Sequence, residues 1–283
     1  MTPLQFQSLV VVGILLFYAL LELARGRFFT AAADREDNKL DVAVMLMFPL
    51  VSGSVSLIAV ALCQTFMPEQ AGALAHWPWW AMVLTLLLVD DLTQYFWHRL
   101  SHTSVLWPLH RAHHSASYMS VRVVYRNNAL YYAMMPGLWL SAMFSFLGFS
   151  WVYVGYIMVK LAVIAGAHCS LPWDAPLYRI PALRPLMWVL ERTISTPATH
   201  WAHHALSQDD GVGHYSGNFG NLLFLWDVIF GTARITRRYP PAFGLADDRS
   251  HGHEKWYTQM LFPFVRSRRA DSALVWPPGR PPA

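Results

Sequence analysis

Apolar runs separated by short charged stretches occupy the chain as far as about residue 167. Crossing about 30 Å of hydrocarbon takes about 20 helical residues, and several runs approach that length. The first covers residues 4–23 and is interrupted only by Glu22 near its end. The second covers 42–63, where Pro49 and Gly53 predict a kink rather than a stop. The third starts at Trp79, carries Asp90 and Asp91, and delivers His98. A fourth, 129–149, and a fifth, 151–167, are joined by a tight turn, so this pair also reads as a hairpin that does not fully span. Beyond residue 170 the pattern turns amphipathic, and Pro172, Pro176, Pro181, Pro185 and Pro197 divide it into short helices. These predict a cap lying on the bilayer with its Trp and Phe at headgroup level. The final WPPGRPPA is Pro-rich and expected to lack fixed structure.

The expected fold is therefore all-α: a multi-pass membrane helical bundle of about four to five transmembrane or hairpin helices beneath a histidine-rich helical cap. Three regions follow along the chain, with membrane helices in 1–97, a histidine-rich region including helices 129–167 in 98–235, and a C-terminal extension in 236–283.

Composition agrees with a membrane protein. Hydrophobic residues make up 55% and charged residues 13%, against about a quarter charged in soluble domains, and the mean hydropathy is +0.30. A formal charge of +4 and a pI near 9.1 would suit a nucleic-acid binder. The basic residues lie between apolar runs, however, which argues for lipid headgroups and topology and against nucleic acid. Arg25, Arg27, Arg35 and Lys39 follow the first run, Arg99, Arg111, Arg122 and Arg126 follow the third, and Arg179, Arg184 and Arg192 follow the fifth. Residues 64–78 and the turn near Gly148 hold no Lys or Arg. The positive-inside rule then puts the N-terminus outside and the histidine-rich segments and C-terminus in the cytoplasm. Cys63 and Cys169 fall at opposite faces and are expected to be free thiols. The run 4–23 is too long for a signal-peptide core and lacks a basic leader, so it is expected to stay as an anchor.

Histidine spacing carries the chemistry. HRLSH supplies His98 and His102, HRAHH supplies His110, His113 and His114, and HWAHH supplies His200, His203 and His204. Residues three and four apart share a helical face, and neutral imidazole is the commonest protein metal ligand. A lone histidine on an apolar helix is usually a packed core residue, but a repeated H-x2-HH beside an H-x3-H makes metal binding the stronger reading. The clusters hold no cysteine, the chain has no H-E-x-x-H, and no E-x-x-H occurs. Thiolate zinc, zinc protease and soluble di-iron carboxylate sites are thereby disfavoured. An all-histidine or nearly all-histidine dimetal site remains, and iron suits it.

These boxes, with DLTQYFWHRLSH leading into the first, a lone His168 before LPW, and NFGNLLFLWDVIFGT after the third, resemble the fatty acid hydroxylase and sterol desaturase superfamily of integral membrane non-haem di-iron enzymes. The likeness covers roughly residues 89–232. Acyl-lipid desaturases are less similar because their first two boxes usually stand farther apart. The resemblance implies metal ligation by His98, His102, His110, His113, His114, His168, His200, His203 and His204. It also implies two iron ions, O2 as co-substrate, and hydroxylation or desaturation of a lipid C–H bond. The lipid would come from the bilayer and the electrons from a separate ferredoxin, cytochrome or reductase, since no flavin, haem or ferredoxin motif occurs. Where some relatives have a tenth ligand this chain has Ile164, with His214 as a possible substitute. His76, His251 and His253 are not expected to bind metal.

Asp91 precedes His98 by two helical turns, so its carboxylate is a candidate to accept an imidazole N–H; a membrane-buried Asp satisfied by Gln94 or Tyr95 is the competing reading. Asn218 and Asp227 are candidates to orient histidines, with a purely structural role equally open. Lys160 could snorkel, pair with an acid or meet a headgroup. Two other functions compete. His204 and Asp209 form the H-x4-D of membrane acyltransferases, which leaves the remaining histidines unexplained. A non-catalytic metal transporter would place its site near the bilayer midplane, whereas these clusters gather at one face.

Overall fold

The computed structural model describes residues 1–275; the Pro-rich end, 276–283, lies outside the described residues. The helices are α1 (Pro3–Ala24), α2 (Arg35–Phe66), α3 (Trp79–Thr85), α4 (Leu92–Ser101), α5 (Trp107–His114), α6 (Ala129–Met134), α7 (Pro136–Leu147), α8 (Ser150–His168), α9 (Ala175–Tyr178), α10 (Arg184–Thr193), α11 (Pro197–His203), α12 (Leu225–Phe230), α13 (Ala246–His251) and α14 (Trp256–Leu261). A π-helical segment, Leu86–Asp91, joins α3 to α4 so that 79–101 is one continuous helix. Among the described residues the only β pairing is two isolated bridges, Ile194 with Leu223 and Ala205 with Phe243.

α1, α2 and α8 are long and apolar enough to cross a membrane. The composite helix 79–101 is about 34 Å long, and its outward side chains Trp80, Leu84, Leu88, Phe96 and Leu100 are exposed and apolar. α1 packs along α8, and α2 packs along α6 and α7. Glu22, the one acid of α1, is fully buried. Its carboxylate accepts from Ser120 Oγ at 2.5 Å, Val121 N at 2.9 Å and Ser170 N at 2.8 Å, so it clamps the end of α1 onto the histidine layer.

Two helix boundaries differ from expectation. α2 starts at Arg35 rather than near residue 42, after an Asp34 cap that forms a reciprocal capping box with Asp37. At about 48 Å it exceeds the hydrocarbon thickness, and its first two turns pack against the segment that follows α5. Those turns are polar, which hid them from a search for apolar runs. There Asp37 and Asp41 meet the fully buried Arg126 at 2.5 and 3.1 Å. Pro49 costs one backbone hydrogen bond without ending the helix. The second difference is 129–149, which is two helices because Pro136 cannot donate to the preceding turn and instead opens α7. α7, about 18 Å long, is too short to cross a bilayer. It ends at Gly148 with φ +105, where a Cβ would lie 2.9 Å from Ala75. Gly72 N and Leu74 N bond the carbonyls of Phe146 and Leu147, which seals the turn into α8.

The adjacent acids Asp90 and Asp91 are both buried because the helix is covered on both sides there, α8 meeting Asp90 and the 223–226 segment meeting Asp91. Asp90 accepts from Lys160 Nζ at 2.5 Å and Tyr156 Oη at 2.7 Å, so Lys160 is paired with an acid rather than extended to a headgroup. Cys63 and Cys169 are buried free thiols.

Removing one partner of a buried ion pair strands the other charge, at a cost of about 3–5 kcal/mol. Arg126→Gln is accordingly predicted to lower the melting temperature of the detergent-solubilised protein by many degrees, and an unchanged melt would remove this cluster as the link between α2 and the end of α5.

Candidate metal centre

The three boxes lie on α4, α5 and α11, which converge. His98 is on the last turn of α4 and His102 is its C-cap residue. α5 is buried along its whole length and carries His110, His113 and His114. α11 is likewise buried throughout, starts at Pro197 behind a Thr196–Thr199 capping box, and supplies His200 and His203, with His204 at its C-cap. His168 is the last residue of α8. Arg111, fully buried between these histidines, is neutralised by Asp247 at 2.7 Å and Asp248 at 2.6 Å, so the C-terminal extension locks α5 in place.

The nine imidazoles form two groups. In each, one nitrogen per residue lies within 4.8 Å of all the others: His98, His102, His110, His114 and His203 in one, His113, His168, His200 and His204 in the other. The Nε2 atoms of His98 and His203 are 3.0 Å apart, those of His110 and His114 3.2 Å, His113 and His168 3.3 Å, His168 and His200 2.9 Å, and His200 and His204 3.2 Å.

Tautomers follow from what each Nδ1 meets. His98 Nδ1 faces the carbonyl of Phe219 at 2.7 Å, His203 Nδ1 that of Gly217 at 2.7 Å, His113 Nδ1 that of Val123 at 3.1 Å, and His168 Nδ1 that of Ile164 at 2.8 Å. A carbonyl only accepts, so each of these Nδ1 atoms carries the proton and each neutral ring presents a bare Nε2 lone pair. Between His98 and His203, and between His113 and His168, two such lone pairs therefore face each other. No hydrogen bond can form there without an added proton. Burial first, then the neighbouring imidazoles, holds His110, His113, His114, His200, His203 and His204 well below the usual imidazole pKa, so protonation is disfavoured. A metal cation satisfies both constraints. Two nitrogens each about 2.1 Å from one ion and at right angles to each other are about 3 Å apart, which matches these separations. His102 Nε2, buried without a hydrogen-bond partner, adds a further donor to the first group. The donor set thus fits two transition-metal ions bound by nitrogen.

The expected orienting residues act one step farther out. Asp91 does not reach His98, which lies about 10 Å farther along the helix: it accepts from Leu223 N at 3.1 Å and Trp226 Nε1 at 2.9 Å. Asp227 accepts from Phe219 N at 2.8 Å, Gly220 N at 2.6 Å and Thr232 Oγ1 at 2.6 Å. Asn218, at φ +57, bonds Thr199 O at 2.9 Å, Arg234 O at 3.0 Å and Arg234 N at 2.7 Å. None touches an imidazole. Together they fix the loop whose Gly217 and Phe219 carbonyls orient His203 and His98. Gly217 is required there, since a Cβ would overlap His214 and the Thr232 carbonyl.

His214, the possible tenth ligand, lies outside both groups, and its Nε2 faces the Thr232 carbonyl at 3.2 Å. The H-x4-D pairing also fails, since Asp209 is exposed and bonded to Ser207 while His204 is buried among imidazoles. A separate group of Asp34, Asp37 and His253 lies at the start of α2, where Asp37 is already paired with Arg126. Sequence reasoning missed Asn127, whose Oδ1 lies 2.9 Å from His110 Nδ1, and all four orienting carbonyls. Backbone acceptors leave no side-chain signal, and only the RNN at 126–128, polar in an apolar neighbourhood, hinted at Asn127.

Helices of membrane length whose ends gather two all-imidazole groups make an architecture suited to holding metal at a membrane face. The chain belongs to the fatty acid hydroxylase family, whose model matches residues 83–232, in agreement with the superfamily suggested by the boxes. It is similar to alkylglycerol monooxygenases of Danio rerio (26% identical over 161 residues), Xenopus tropicalis (28% over 168) and Homo sapiens (26% over 159). Each match covers 55% of this chain but 30% of the relative, so the chain spans about a third of the length of the curated relatives it matches. No solved structure matches.

Loss of groups that orient metal-bound histidines typically costs about 10–100-fold in affinity. Asp227→Ala, which releases Phe219 N and Gly220 N, is expected to fall in that range in an Fe(II) titration, and Asp91→Asn, which keeps an acceptor oxygen, is expected to lose less. Wild-type affinity in Asp227→Ala would remove the loop from the set of orienting elements.

Proposed function

We propose that the chain is a membrane-bound lipid oxygenase with a di-iron centre, held by His98, His102, His110, His114 and His203 on one side and by His113, His168, His200 and His204 on the other. The observation that carries this is the opposed Nε2 lone pairs at 3.0 and 3.3 Å, one pair in each group. Iron bound there would supply O2-dependent oxidation of an unactivated C–H bond, with electrons from a separate donor such as a ferredoxin, cytochrome or reductase.

The protein's own part is to position and to exclude water. Carbonyls of Gly217, Phe219, Val123 and Ile164 hold the rings in the ligating tautomer before any ion arrives, so little reorganisation accompanies binding. Burial of α5 and α11 along their lengths keeps bulk water from the reacting region. An open groove of about 380 Å³ between α1, α8 and the segment around Ile194, lined chiefly by Met158, Val159, Ala162, Val163 and Trp173 and by none of the nine histidines, offers an apolar surface to an acyl or alkyl chain. A second cavity, of about 250 Å³, borders the first imidazole group and is lined by His102, Trp107, His114, Tyr215 and Ser216.

Membership of the fatty acid hydroxylase family and the monooxygenase names of the relatives favour hydroxylation over desaturation. The same names make alkylglycerols and related glycerolipids the first substrates to try. The proposed topology has the N-terminus outside and the histidine layer cytoplasmic, supported by the Arg and Lys that follow α1, α4 and α8.

Membranes from a host expressing the protein, supplied with isotopically labelled O2 and a reductant, are predicted to yield a lipid heavier by one labelled oxygen. The product should vanish in His113→Ala membranes and without O2. Identical lipid profiles for wild type and His113→Ala would contradict the proposal.

A further inference from the structure

α10 and α12 are built inside out. A helix lying on a water-facing surface buries its apolar stripe and shows its polar face. In α10 the only buried residues are Met187 and Glu191, and in α12 they are Trp226 and Asp227. Both carboxylates are 0% exposed, whereas Leu186 is 57%, Trp188 54%, Val189 53% and Ile229 57% exposed. The buried acids are fully engaged. Glu191 meets Arg237 at 2.7 and 2.9 Å and Arg192 at 2.7 Å, and Asp227 holds the 217–220 loop as described. The two helices touch, so their outer side chains form one apolar patch. Large contiguous patches of this kind mark contact surfaces.

Two observations say what covers it. The Phe230 ring lies 5.3 Å from Tyr95 and 5.1 Å from Phe96, and Phe96 belongs to the outward apolar stripe of helix 79–101 with Leu88 and Leu100. The patch is thus continuous with the face that this helix turns outward. Arg184 and Arg192 flank it, and the Arg192 guanidinium lies 4.4 Å over the Trp188 ring. A basic and aromatic margin around an apolar face fits anionic headgroups above acyl chains.

We propose that α10 and α12 lie side-on within the leaflet nearest the histidine layer, with Val189 and Ile229 among the acyl chains, below the headgroup level that the sequence pattern suggested for the cap. They form a collar, and Asp227 ties that collar to the loop that orients His98 and His203. The lipid bilayer is then a structural partner of the histidine layer as well as the solvent of its anchors. None of this depends on the oxygenase proposal.

The test uses the full chain reconstituted in phosphatidylcholine and phosphatidylglycerol vesicles, with nitroxide attached at Val189→Cys, Ile229→Cys or, on the exposed surface of α13, Arg249→Cys. Cys63 and Cys169 are buried, and the unsubstituted protein measures their background. Labels at 189 and 229 should relax severalfold more strongly with O2 than with a water-soluble nickel chelate, and the label at 249 should do the reverse. Nickel access at 189 and 229 equal to that at 249 would place the helices in water, comparable access to both reagents would place them among the headgroups, and protection from both would mean a protein partner covers the patch. Any of these three results overturns the proposal. Because the readout is depth rather than turnover, it stands apart from the fate of the enzymatic reading.

Discussion

Two imidazole lone pairs pointed at each other across about 3 Å are repulsive unless a cation lies between them, and this constraint governs the whole molecule. The rings cannot escape it by changing tautomer, because backbone carbonyls already claim the Nδ1 protons of His98, His203, His113 and His168. Nor can they readily take up protons, since burial opposes the charged form. A cation between the rings would relieve that repulsion, and the carbonyls already hold the rings in the tautomer it would need.

Much of the remaining structure brings remote segments to that layer and holds them there. Glu22 draws the end of α1 onto residues 120–121 and 170. Arg126 ties the extension of α2 to the turn after α5, where its guanidinium also bonds Ala112 O at 2.9 Å and Ser115 Oγ at 2.9 Å. Arg111 fastens the C-terminal extension over α5, and Asp91 joins helix 79–101 to the loop that orients two histidines. Each is a buried polar side chain that joins segments distant in the chain, and stranding its partners would be costly. A second consequence is rigidity, since ligand helices pinned from both ends of the chain cannot drift independently.

The histidine groups and the all-helical character were legible in the sequence because both rest on periodicity: three boxes at helical spacing and apolar runs of bilayer length. What was not legible rests on context. Asp91 shares a helical face with His98, yet two turns of rise are beyond the reach of its short side chain, and the Trp226 indole that takes its carboxylate comes from far along the chain. His214 and Asp209 sit at plausible distances along the chain but face a carbonyl and solvent. The orienting carbonyls are anonymous in any sequence. The polar first turns of α2 read as loop because their partner, Arg126, lies far along the chain. Glu191 and Asp227 are inconspicuous until the folded chain shows which side of each short helix is buried.

The most direct measurement is the metal stoichiometry of the purified chain loaded anaerobically with Fe(II), compared with His102→Ala and His168→Ala, which alter one group each. Two separate nitrogen-bound sites predict two ions per wild-type chain and selective weakening of one site in each variant. A wild-type chain that binds a single ion or none, or variants that both retain two ions at full affinity, would contradict the two-site cage on which everything else is built.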